Sequence, residues 1–230
     1  MCGRYYRRSD KQRIAEAFQV GKLSDDFVLP PWDYNVAPTT HQPVIVIRLT
    51  KEHAEREMVL MRWGMVPHSA KSIADFKGFS TINARAETLM NSAMWRLPFQ
   101  RRRCLVPADG FYEWEKIAPK TKQPYAFMMA DEKPFAFAGL WDAWKDEQGD
   151  WLQSYAIITT TPNELTATAH NRMPVILHPD DYEQWLMSVD GERPPVELLR
   201  PYPADEMKAQ KAHTDVGNVK NNHPELLNSA

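Results

Sequence analysis

The second residue of the chain is a cysteine, followed by Gly3-Arg4-Tyr5. Initiator methionine is commonly removed before a residue this small, so the functional chain is expected to begin at Cys2. An N-terminal cysteine carries an α-amine and a thiol on adjacent carbons, with ordinary pKa values of about 8 and about 8.5. With an aldehyde, the amine forms a Schiff base and the thiol attacks the same carbon. The product is a five-membered thiazolidine, closed by proximity rather than by strong activation. The competing reading is an incidental cysteine with no chemistry of its own.

Glu113 lies in Asp109-Gly110-Phe111-Tyr112-Glu113-Trp114-Glu115, just after a turn signal and among three aromatics. A carboxylate in such company is desolvated, which raises its pKa and suits it to proton transfer. Alternation along a strand permits the opposite, with Glu113 facing solvent while Tyr112 and Trp114 pack. His170 lies in His170-Asn171-Arg172-Met173-Pro174, at the mouth of a strand expected over Val175-Ile176-Leu177. The charge of Arg172 would disfavour the imidazolium and leave His170 neutral and able to accept a proton. A surface or capping histidine is the alternative.

In Asn83-Ala84-Arg85-Ala86-Glu87-Thr88, Asn83 could donate to a carbonyl or sugar oxygen and Arg85 could meet a phosphate. Equally, Asn83 reads as a helix N-cap and Glu87 as a solvated first-turn carboxylate. Arg4, Arg7 and Arg8 follow Cys2, and Arg96, Arg101, Arg102 and Arg103 surround Phe99. With Trp63 and Trp114 as stacking surfaces, these are the ingredients of single-strand binding. Short arginine runs are also commonly solvated edges.

The elements that must hold these residues are mainly strands. Apolar runs at Val44–Ile47, Met58–Trp63, Cys104–Val106, Phe111–Lys116, Tyr125–Met129, Phe135–Leu140 and Tyr155–Thr160 read as strands. Helices are expected over Ser9–Phe18, with Ser9 and Gln12 as a capping box, over Arg85–Trp95, near Asn163, and over Tyr182–Met187. The tail from Ala204 has no clear pattern. Strands outnumber helices and do not alternate with them, so the fold class is α+β: one domain over residues 1–230, with a mostly antiparallel, barrel-like sheet and flanking short helices.

The composition narrows the function classes. A net charge of −2 argues against a protein that coats nucleic acid with uniform positive potential, and leaves room for a local basic groove. Two cysteines, Cys2 and Cys104, in no Cys-x-x-Cys arrangement make neither a disulfide framework nor a zinc site. The N-terminus has no apolar run that would read as a signal peptide, and no stretch is long enough to span a membrane. The cytoplasm is therefore the expected compartment, with Cys2 a free thiol.

Six blocks, in order, resemble the SRAP family, named for "SOS response-associated peptidase". They are Met1-Cys2-Gly3-Arg4-Tyr5, Tyr34-Asn35-Val36-Ala37-Pro38-Thr39, Trp63-Gly64-Met65, Asn83 to Thr88, Asp109 to Trp114 and His170 to Pro174. The late Val216-Gly217-Asn218-Val219 is similar to the family's closing segment. The resemblance implies a protein of abasic sites in single-stranded DNA. The residue matching Cys2 would form the thiazolidine with the ring-opened sugar, and the one matching Glu113 would assist ring opening and proton transfer. The one matching His170 would shuttle protons and act in reversal, and the one matching Asn83 would hold the sugar or the N-terminus. Arg4, Asn35, Arg85 and Trp114 would line the DNA groove, joined by Trp63 on the stacking reading above. Strand-cleaving lyase activity through the Schiff base is implied as well. No metal, cofactor or obligate protein partner is implied, and a monomer is expected, associated with DNA and with the nucleoid if bacterial. Where family members often carry a tryptophan after Pro67, this chain has His68-Ser69-Ala70-Lys71.

Two other functions stay open at this stage. Cys2, His170 and Glu113 could serve as nucleophile, base and orienting acid of a thiol peptidase. Alternatively, the arginine and tryptophan set could bind single-stranded DNA without covalent chemistry.

Overall fold

The computed structural model describes residues 2–21, 27–30, 32–49, 54–76, 81–187 and 193–229. Its strands are β1 (Tyr5–Arg7), β2 (Asp33–Val36), β3 (His41–Leu49), β4 (Ala54–Trp63), β5 (Asn83–Arg85), β6 (Arg103–Ala108), β7 (Gly110–Ala118), β8 (Thr121–Met129), β9 (Phe135–Lys145), β10 (Trp151–Thr160), β11 (Met173–Pro174), β12 (Ile176–Leu177) and β13 (Met207–Lys211). Three short α-helices, α1 (Lys11–Ala17), α2 (Arg96–Arg101) and α3 (Tyr182–Leu186), flank them.

One sheet runs β13-β8-β7-β1-β2. The other runs β11-β10-β4-β3-β6-β9-β12, and a further β10–β9 pairing closes β10, β4, β3, β6 and β9 into a five-stranded barrel. Closure leaves those strands without an open edge. Most pairs are antiparallel; β10 runs parallel to β4 and β5. The α+β, mostly antiparallel and barrel-like architecture expected from the strand pattern is the one observed.

The strands form where the sequence is β-branched or aromatic. Val44 and Ile45 of β3 face Val59 and Met58 of β4. All six residues of β6 are buried, as fits a strand enclosed on both faces. Aromatic edges knit the interior: the Tyr5 ring meets Trp63 at 5.2 Å and Phe137 at 5.7 Å between centroids.

Three local expectations are corrected. The N-cap of α1 is Asp10, whose Oδ1 accepts from the Arg13 N–H at 2.8 Å, and not Ser9. Ser9 is instead drawn inward, where its hydroxyl donates to Asp109 Oδ1 at 2.8 Å. The helix expected over Arg85–Trp95 is a 3₁₀ turn over Ala86–Asn91 that ends at an extended Ser92, with α2 following. Asn91 and Ser92 are weak helix formers, which breaks the segment in two. Near Asn163 the chain makes a 3₁₀ turn over Thr166–Thr168, with Asn163 Oδ1 accepting from the Thr166 N–H at 2.8 Å. The patternless tail contains β13, which pairs with β8. No helix among the described residues is long and apolar enough to cross a membrane.

Candidate functional site

Cys2 lies three residues ahead of the start of β1 and has no exposed surface. Its carbonyl accepts from Asn83 Nδ2 at 2.9 Å. Asn83 opens β5, which β10 holds in parallel register through Ile157. The other amide atom, Asn83 Oδ1, is buried and has no hydrogen-bond donor among the described residues. The amide therefore grips Cys2 with one end and keeps an acceptor ready beside it.

Glu113 sits in the middle of β7 opposite Tyr125 and is 2% exposed. Burial pushes its carboxyl above the usual range, while the positive charge at the chain's N-terminus, the Trp114 backbone N–H and the charge of Lys122 pull the other way. Of the two sequence readings of Glu113, the desolvated one is correct. The Cys2 thiol is driven well above its ordinary pKa, first by burial and then by the Glu113 charge. The backbone N–H of Arg4, which donates to the sulfur, and the N-terminal charge offset this in part. Cys2 and Glu113 thus lie within electrostatic reach of one another.

His170 follows the 3₁₀ turn Thr166–Thr168, and its backbone N–H caps that turn through Thr166. Its pKa is lowered mainly by burial; the charge of Arg172 is the smallest contributor. The sequence reading of a neutral imidazole holds, but desolvation is the principal cause. His170 Nδ1 accepts the Arg172 backbone N–H at 3.1 Å. A neutral ring with Nδ1 as acceptor carries its proton on Nε2, so the resting His170 presents a donor. The Arg172 guanidinium makes two bonds to Glu87, at 2.5 and 3.0 Å, and one to the Thr159 carbonyl at 2.6 Å. Those bonds hold the His170–Arg172 loop against the end of β10. Lys122 of β8, exposed and not singled out from sequence, acts electrostatically on both Glu113 and His170.

The expected DNA contacts divide. Arg85, at the end of β5, is exposed, and it rather than Asn83 occupies the N-cap position of the 3₁₀ turn after it. Trp114 is half-buried against the cluster of Tyr6, Tyr112 and Val216. Trp63 is a correction. It has no exposed surface, its Nε1 donates to the Ile82 carbonyl at 3.0 Å, and its ring stacks on Tyr155 at 6.4 Å. A ring enclosed in this way cannot meet a base, and the Trp-Gly block is core.

Asn35 is also enclosed. It is 4% exposed, its Nδ2 lies within 3.2 Å of the carbonyls of Val216, Asn218 and Asn221, and its Oδ1 accepts from Arg4. Arg4 is half-buried, with its Nη1 on Asn35 Oδ1 at 3.1 Å. Several other arginines are structural. Arg7 donates to the carbonyls of Ser9 and Pro30, Arg103 to those of Phe99 and Gln100, and Arg102 pairs with buried Asp142.

Sequence reasoning missed Asp109 except as a turn signal. Its carboxylate accepts from the Arg8 N–H at 2.7 Å, the Ser9 N–H at 2.8 Å and the Ser9 hydroxyl, tying the end of β1 to the start of β7. Its partners lie 100 residues away in the chain, so no local pattern announces them. Among the described residues, no three His, Cys, Asp or Glu side chains gather as a metal centre would require.

A chain with a five-stranded barrel, whose second residue is a cysteine within electrostatic reach of a buried carboxyl, is a thiol-bearing α+β protein. Residues 1–219 match the family model described as "SOS response associated peptidase (SRAP)", and the chain belongs to that family. It is 38% identical over 230 residues to the abasic site processing protein YoqW of Bacillus subtilis, covering all of both chains. It is 30% identical over 268 residues to the abasic site processing protein HMCES of Mus musculus, covering 99% of this chain and 75% of that one. A crystal structure of a protein from Bacteroides thetaiotaomicron, 27% identical, superposes over the whole of both chains with a TM-score of 0.85.

Proposed function

We propose that the protein recognises abasic sites in single-stranded DNA, and that Cys2, made N-terminal by removal of Met1, captures the sugar aldehyde as a thiazolidine. The observation that carries the reading is the placement of the buried Glu113 carboxyl within electrostatic reach of Cys2, whose carbonyl Asn83 holds. The similarity to abasic site processing proteins along the whole chain supports the same substrate.

The steps balance without a cofactor. Glu113 in its acid form protonates the ring oxygen of the closed sugar as the bond from that oxygen to the anomeric carbon breaks, the anomeric hydroxyl gives its proton to water, and the open aldehyde is left. The Cys2 amine adds to the aldehyde carbon and water leaves, giving the Schiff base. The thiol then adds to the same carbon: the C–S bond forms as the C=N π bond breaks, the sulfur's proton passes to the Glu113 carboxylate, and the nitrogen takes from water the proton released at ring opening and ends as an amine. Asn83 Oδ1 is the acceptor available to the amine. His170, with its proton on Nε2, donates to a departing oxygen and serves reversal. The Schiff-base stage also permits strand scission by elimination. Arg85 and Lys122 are the exposed cations that meet flanking phosphates, and Trp114 offers a partial stacking surface.

The thiol's environment supports this order over a peptidase. A thiolate nucleophile needs a lowered pKa, and burial and Glu113 both act in the opposite direction. An amine-first route makes no such demand. The test is denaturing electrophoresis after mixing with abasic single-stranded DNA. Processed protein is expected to give a heat-stable adduct, Cys2→Ala none, and protein retaining Met1 none, because a peptide nitrogen is not nucleophilic. Equal adduct from Cys2→Ala rejects the proposal.

A further inference from the structure

Asn35 lies far from Cys2 in sequence, and the closing segment of the chain lies farther still. The structure joins them. The Asn35 amide nitrogen donates toward the carbonyls of Val216 at 3.2 Å, Asn218 at 2.9 Å and Asn221 at 2.9 Å. Its carbonyl oxygen accepts from Arg4 Nη1 at 3.1 Å, and the same Nη1 lies 3.5 Å from the Val216 carbonyl. The segment is fastened a second time where Asn222 Oδ1 accepts the Tyr34 N–H at 2.7 Å. From Arg4 the connection runs directly to the chemistry. The Arg4 carbonyl accepts the Tyr112 N–H at 3.0 Å, one residue before Glu113, and the Arg4 N–H donates to the Cys2 sulfur.

We propose that residues 213–223 act as a brace that sets the Cys2 thiol through Asn35 and Arg4, which makes Asn35 a positioning residue and not a DNA contact. The physical reason is geometric. An N-terminal residue has no chain before it to hold it, and it will fray unless neighbours fix the backbone just after it. Here Arg4 is fixed at three points: its guanidinium by Asn35, its carbonyl by Tyr112, its N–H by the sulfur it serves. Ring closure depends on the thiol staying beside the carbon that the amine has captured, so a small loss of register at Arg4 reaches the rate directly.

The proposal rests on the reading that Cys2 is the reacting residue, and its test separates the two. Asn35→Asp preserves shape and the acceptor toward Arg4, removes both amide N–H donors, and sets a negative charge against three carbonyls. In folded Asn35→Asp protein, adduct formation with abasic single-stranded DNA is expected to fall at least tenfold. Affinity for undamaged single-stranded DNA should change less than twofold. Alkylation of Cys2 by iodoacetamide, mapped by mass with buried Cys104 as internal control, should rise at least threefold as the thiol loosens. Asn222→Ala, a milder change at an exposed position, should shift the adduct and alkylation rates the same way by a smaller factor, and supplies the test if Asn35→Asp does not fold. Unchanged adduct and alkylation rates in folded variants overturn the brace. Loss of DNA affinity in proportion to adduct yield overturns it in favour of a DNA contact. Should wild-type protein form no adduct at all, the capture reading fails, and the alkylation comparison still decides the brace.

Discussion

Replacing Glu113 by glutamine should make the protein more stable and less active at once, with the stability gain confined to one side of a pH window. The carboxyl is 2% exposed, and burial raises its pKa against the combined pull of the N-terminal charge, the Trp114 N–H and Lys122. The raised value means the folded state holds the proton more tightly than the unfolded state does. Below the unfolded value of about 4.5 both states are protonated and the residue costs nothing. As pH rises from there through the higher folded value, the unfolded chain ionises freely while the folded one pays for a buried charge. Stability is therefore lost across that interval and stays lost above it. Each tenfold weakening of the acid corresponds to about 1.4 kcal/mol. In a chain of this length each kcal/mol moves Tm by about 2–4 °C. Glu113→Gln should match wild type in Tm at pH 4 and exceed it by a few degrees at pH 8, while adduct formation at pH 7 slows by 10²-fold or more for lack of a proton donor. Thermal melts at the two pH values and a single-turnover gel assay read both effects. A Tm difference that is the same at pH 4 and pH 8 would refute the desolvated carboxyl.

Other expectations follow from particular contacts. Gly110→Ala places a Cβ 2.3 Å from Tyr6 Cζ, inside a ring with no exposed surface, so a loss of about 1–3 kcal/mol is expected in a denaturant melt. Trp63→Ala should cost about 3–5 kcal/mol and leave the single-strand affinity of the remaining folded protein unchanged, because the ring is core. Affinity for undamaged single-stranded DNA should fall with salt at a log–log slope of about −1.4 to −2.8, the figure for two to four phosphate contacts, as read by fluorescence anisotropy. The rate of Cys2 alkylation should keep rising through pH 9, since burial and Glu113 move the thiol upward; a plateau in the acid range would mean a stabilised thiolate instead.

Much of the candidate site was legible because its reactive residue types lie in short motifs. Cys2, Glu113 and His170 each stood out by residue type within a distinctive local run. The surroundings of Glu113 were half legible: its aromatic neighbours announced desolvation, but strand alternation left the facing open, and only the tertiary packing of the β7 sheet decided it. The burial of Trp63 and of Asn35 was hidden for a common reason. Both belong to motifs of the family, and a motif does not say whether its residues touch ligand or hold the frame. Trp63 is closed in by Tyr5 and Tyr155, the latter 92 residues on, and Asn35 by carbonyls more than 180 residues away. Tertiary partners at such separations leave no periodic trace. The strand pattern itself was readable from β-branched runs, whereas the break between Asn91 and α2 depended on helix propensities too small to outweigh apolar spacing by eye.

The directions of the three shifts at the site share one consequence. Burial raises the Cys2 thiol, raises the Glu113 carboxyl and lowers the His170 imidazole, so each group is biased toward its neutral form. A thiol peptidase requires the reverse for two of them, a thiolate beside an imidazolium, each favouring the other's charge. A site biased toward neutrality suits a different task. The abasic sugar between two phosphates is itself uncharged, and its capture consumes no net charge: an aldehyde, an amine and a thiol become a thiazolidine and water. What the reaction needs is proton traffic at fixed points, from an acid to the ring oxygen and from the thiol to a carboxylate. In the proposed steps Glu113 supplies both in turn, and its desolvation moves its acidity in the direction of neutral pH, where donation and acceptance can both proceed. In the proposed function the exposed cations Arg85 and Lys122 meet the flanking phosphates, and the charge of Lys122 only partly offsets the effect of burial on the carboxyl.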